Sequence, residues 1–97
     1  MKKGITSTGF RYQFDEQTLD DMRFVDVLTT VVDEKSSPLD KLSGASKLLT
    51  MMLGTEQKEA LYEHIGKSFG GRVPSEELNK ALEEIMNGAG EEAEKNS

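Results

Sequence analysis

The chain has 97 residues, with 12 Lys and Arg against 18 Asp and Glu, a net charge of −6, one histidine and no cysteine. That allows one domain with a small core and excludes a disulfide framework, a thiolate metal site and a cysteine nucleophile. An acidic surface repels phosphate, so nucleic acid is not an expected partner; no apolar run approaches the ~20 residues of a membrane-spanning helix, so the chain reads as a cytoplasmic protein with no membrane partner.

Residues 5–14 predict a short strand or hairpin. Phe10, Tyr12 and Phe14 alternate with Arg11 and Gln13, the period of a half-buried strand, and Thr8-Gly9 offers a turn. A two-stranded hairpin is marginal in water, so its aromatics need a helix beneath them or another chain beside them. A first helix is predicted over 16–34. Asp15 or Thr18 caps it, and Phe24, Val25, Val27, Leu28, Val31 and Val32 form a wide apolar stripe. Ser37 fits the N-cap and Pro38 the first position of a second helix running to Leu53. Its core stripe is Leu39, Leu42, Ser46, Leu49, Met52 and Leu53, and Gly54 ends it. Thr55 caps a third helix over 56–68, with Leu61, Tyr62, Ile65 and Phe69 on one face and Gly70-Gly71 as its stop. A fourth helix over 75–86 starts with Glu76 and Glu77 and buries Leu78, Leu82 and Ile85. Residues 87–97 are Gly, Ala, Glu, Lys, Asn and Ser, which predicts a disordered acidic tail. The fold class is mainly α: a bundle of about four helices in one domain, 1–86, after a short N-terminal strand or hairpin, with a flexible tail over 87–97.

No catalytic constellation emerges. His64 has no second His or Cys to work with and reads as a surface histidine. Gly70-Gly71-Arg72 lacks the Lys-Ser/Thr of a phosphate-binding loop and reads as a helix end. Gly71, Val73 and Glu77 fall in phase with an EF-hand loop, but Gly66, Ser68 and Gly70 occupy the positions that should supply carboxylates. The adjacent pairs Asp20-Asp21, Glu76-Glu77 and Glu83-Glu84 point about 100° apart on a helix and form no acid–base dyad. The expectation is a protein that is not an enzyme and takes no cofactor or metal. The third and fourth helices allow a helix-turn-helix, but a recognition helix over Glu76–Glu84 is too acidic for a major groove. What remains is surplus apolar surface. Met22, Leu48 and Met51 lie off the core stripes and are the candidate partner-binding residues. With an open strand edge, they also predict homo-oligomers.

The order of features resembles a known family. Gly9-Phe10-Arg11-Tyr12-Gln13-Phe14-Asp15 leads to Leu19-Asp20-Asp21-Met22; then come Leu48-Leu49, Leu53-Gly54-Thr55-Glu56-Gln57, Gly71-Arg72-Val73-Pro74 and Glu84-Ile85. Over residues 4–87 this is similar to the tail assembly chaperones of long-tailed bacteriophages and prophages of Gram-positive hosts. The resemblance implies a small, mainly helical protein of the infected host cytoplasm, absent from the mature virion. It would bind the tape-measure protein, keep it soluble and help recruit tail-tube protein. It also implies a longer form made by ribosomal frameshifting, with which Glu94-Lys95-Asn96 is compatible through the codons GAA-AAA-AAC. The rival class is a small helical regulatory or adaptor protein.

Overall fold

The structure is a computed structural model that describes residues 1–95, with side chains for residues 1–87. Strands β1 (Lys2–Ile5) and β2 (Arg11–Phe14) form an antiparallel hairpin in the register Lys2↔Phe14, Lys3↔Gln13, Gly4↔Tyr12 and Ile5↔Arg11. The turn between them is closed by the Thr6 N–H donating to the Phe10 carbonyl at 2.8 Å and the Gly9 N–H to the Thr6 carbonyl at 2.9 Å. Period-2 alternation puts Tyr12 and Phe14 on the buried face, with Phe10 buried at the turn. Gly4 sits where a side chain would meet the Tyr12 ring: a Cβ there would lie 2.6 Å from Tyr12 Cζ.

The first predicted helix divides in two. A 3-10 helix covers Glu16–Asp20, with the Asp15 carboxylate accepting from the Gln17 N–H at 2.9 Å. Helix α1 (Met22–Val32) follows, capped by Asp21 through the Arg23 N–H at 2.9 Å. The division falls at Asp21 because its side chain competes for the local amide while its own backbone is extended, φ −79° and ψ 125°.

Helix α2 (Pro38–Gly66) opens as predicted. Ser37 accepts from the Asp40 N–H at 3.1 Å, and Pro38 occupies the first turn. The second and third predicted helices are its two arms. They meet at Gly54, whose φ of 81° and ψ of 166° are open only to glycine. The bundle therefore has three α-helices, not four, with α2 broken in the middle. The arms are tied by Ser46 and Tyr62, whose hydroxyls lie 3.3 Å apart. A loop follows in which the Gly71 N–H donates to the Gly66 carbonyl at 2.8 Å.

Helix α3 (Ser75–Lys95) starts at the predicted residue but runs beyond the expected end at 86. The flexible tail expected over 87–97 thus begins within a helical backbone. Its side chains from residue 88 onward, and residues 96 and 97 altogether, lie outside the described residues.

The core draws on every layer. Phe10, Tyr12 and Phe14 come from the hairpin and Phe24 from α1. Leu48, Leu49, Leu53, Leu61 and Ile65 come from both arms of α2, and Leu78, Leu82 and Ile85 from α3. Helices α1 and α2 approach closely at Gly44, where a Cβ would lie 2.6 Å from Val31 Cγ2. Four residues assigned to core stripes from the sequence are exposed instead: Val32, Leu39, Leu42 and Phe69.

Candidate functional site

The candidate partner-binding trio does not form one surface. Leu48 is completely buried, so it belongs to the core. Met51 is half-buried against that core, beside a shallow groove it shares with Lys47 and Lys58. Met22 alone is well exposed, at 65%. The assignment fails at Leu48 because Gly44 turns α2 toward α1. The buried face widens to take in Gly44, Ala45 and Leu48 beside Leu49, Met52 and Leu53, while Leu39 and Leu42 at the start of the helix are left outside.

Among the described residues, three of the large exposed apolar side chains flank the turn joining α1 to α2, the others being Met1, Ile5, Met22 and Phe69. Val32, the last residue of α1, is 67% exposed, and Leu39 in the first turn of α2 is 75% exposed. Leu42 lies three residues on, on the same helical face as Leu39. Val27, Leu28 and Val31 of α1 are half-buried against the core. The stripe that holds Leu49 and Leu53 in the core thus runs out of the core into solvent. The sequence signal for it was present, since the wheel assigned Leu39 and Leu42 to a stripe. What the wheel lacks is a cover for that end of the stripe.

A second feature is a cavity of about 310 Å³ between the hairpin turn, the end of α2 and the start of α3. Thr6, Thr8, His64, Lys67, Phe69 and Lys80 are among its lining residues. Two of its polar side chains, His64 and Glu84, hold the turn. His64 Nε2 lies 3.2 Å from the Thr8 carbonyl oxygen and 3.1 Å from the Thr8 hydroxyl. The Glu84 carboxylate accepts from the Ser7 N–H at 3.0 Å and from the Ser7 hydroxyl at 2.6 Å. His64 is thus half-buried, with its ring centroid 5.7 Å from that of Phe10, and not a simple surface residue. These bonds fasten the hairpin to the helices.

Among the described residues, no group of three or more His, Asp or Glu side chains is placed to hold a metal ion. No described helix is long and apolar enough to cross a membrane. No family model, no curated protein and no solved structure matches the chain.

Proposed function

We propose that this protein is a binding module that holds apolar helices of another protein, and that it acts as a phage tail assembly chaperone for a tape-measure protein. The observation that carries the reading is the exposed apolar pair Leu39 and Leu42 on one face of α2, with Val32 exposed at the end of α1. An amphipathic helix laid on such a stripe buries its own apolar face in return. The net charge of −6 favours keeping the complex in solution. The partner's identity comes from the sequence resemblance, as does the recruitment of tail-tube protein in the host cytoplasm and absence from the virion. No residue is assigned a catalytic role in this reading.

Co-expression tests it. A tape-measure protein produced with this chain should stay in the soluble fraction and co-purify with it. Leu39→Glu should release it to the pellet while the variant itself stays folded, because Leu39 contributes little to the core. A tape-measure protein that is equally soluble with the variant, or insoluble with the wild type, would end the proposal.

A further inference from the structure

The hairpin has two edges, and among the described residues a hydrogen-bonding partner closes only one. On β2, the Gln57 side chain stands in for a neighbouring strand. Its Oε1 accepts from the Gln13 N–H at 2.9 Å, and its Nε2 donates to the Gln13 carbonyl at 2.8 Å. The backbone of Gln13 therefore points away from β1. In an antiparallel ladder the direction alternates residue by residue. Tyr12 and Phe14 consequently pair inward with Gly4 and Lys2, and the partners of Arg11 and Gln13, Ile5 and Lys3, point their N–H and C=O groups outward. Both residues are exposed, and although α3 packs against β1, among the described residues nothing bonds these groups. The open edge is β1, not the aromatic strand β2.

That edge is also electrically distinct. Residues 1–14 hold Lys2, Lys3 and Arg11 and no acid, so the rest of the chain carries nine of the twelve cations and all eighteen acids. None of the three forms an ion pair among the described residues; Lys80 and Glu77, 3.9 Å apart, form the one that is present. Lys3, Ile5 and Arg11 share the solvent face of the hairpin, with Arg11 directly across from Ile5 in the register. A second copy of β1 would set cations beside cations, which opposes self-pairing.

We propose that β1 accepts an extended acidic segment of a partner protein as a third strand, through the backbone of Lys3 and Ile5 and the charges of Lys2, Lys3 and Arg11. The backbone supplies affinity, as in other strand-addition complexes, and the cations select acidic side chains. The surface is separate from Leu39 and Leu42, so the edge and the apolar stripe stand or fall independently.

The probe is a blocked heptapeptide alternating valine and glutamate, set against the same peptide with lysine for glutamate and against oligodeoxythymidylate, all added to the full chain. Binding of the glutamate peptide should slow amide hydrogen exchange at Lys3 and Ile5 at least tenfold and should weaken as salt rises. The lysine peptide should not bind. Ile5→Pro removes an outward donor without touching the ladder to β2 and should abolish binding. Should that variant unfold, Lys3→Glu with Arg11→Glu, both on the solvent face, should reverse the preference to the lysine peptide. Equal affinity for the two peptides, glutamate-peptide binding that leaves these amides unprotected, or no binding at all would overturn the proposal. Protection of the same amides by protein concentration alone would overturn it in favour of a second copy, and tighter binding of the oligonucleotide in favour of nucleic acid.

Discussion

At Gly4 the missing side chain is replaced by the Tyr12 ring, which occupies the space that a Cβ would need. Gly4→Ala should therefore destabilise the protein by about 1–3 kcal/mol through overpacking, read as a lower urea midpoint with an unchanged slope. Leu48→Ala, at a fully buried site, should cost about 2–5 kcal/mol. Leu39→Ala, on a residue 75% exposed, should stay within about 0.5 kcal/mol. Those two leucines show how far single residues were legible. Both are leucines on one helix, and a wheel ranks them only by phase. The predicted stripe is buried at Leu49, Met52 and Leu53 and exposed at Leu39 and Leu42; Leu48 joins the buried side because Gly44 lets α2 come close to Val31. Leu78, Leu82 and Ile85 were placed correctly because α3 has one apolar face and no competing one.

Helix starts were legible wherever the signal was local. Ser37-Pro38 starts α2 where the sequence predicted, and Glu76-Glu77 lie in the first turn of α3. Breaks set by competition were less so. Asp21 splits the first predicted helix because its side chain captures an amide that a continuous helix would use. The break at Gly54 was legible: the sequence ends one helix there and opens the next at Thr55, and the backbone does leave the helical region at Gly54, with the second arm starting at once across an elbow. A Cβ at Gly54 would meet nothing within 4 Å, so any penalty there comes from the backbone. Gly54→Ala should cost about 1–3 kcal/mol. A synthetic chain with D-alanine at that position should recover most of the loss, whereas a steric cause would leave both variants equally weak. Gln57→Ala should speed hydrogen exchange at the Gln13 amide more than at the amides of Tyr12 and Phe14, because it removes the cover from the β2 edge alone. Part of the candidate edge was legible, since an open strand edge was expected; that it lies on β1 depends on a glutamine far along the chain from the strand it protects.

The whole molecule presents two unlike surfaces: an apolar stripe at the α1–α2 turn and a basic hairpin on an otherwise acidic body. If the stripe is sticky enough to hold a partner helix, it is sticky enough to find a second copy of itself when no partner is present. Sedimentation should then show concentration-dependent association of the wild type that Leu39→Glu removes. Association unchanged by Leu39→Glu would place the contact elsewhere.

Gly54 also limits how large this molecule is. A straight helix of 29 residues would be roughly 43 Å long at ~1.5 Å per residue, more than the longest dimension of the whole protein, 38 Å. Without the elbow, Leu61 and Ile65 would ride outward on a rod instead of returning to the residues that Leu49 and Leu53 touch. One achiral residue thus sets the difference between a folded protein with its own interior and an extended amphipathic helix in search of one, the same kind of polymer that the proposed chaperone would shelter.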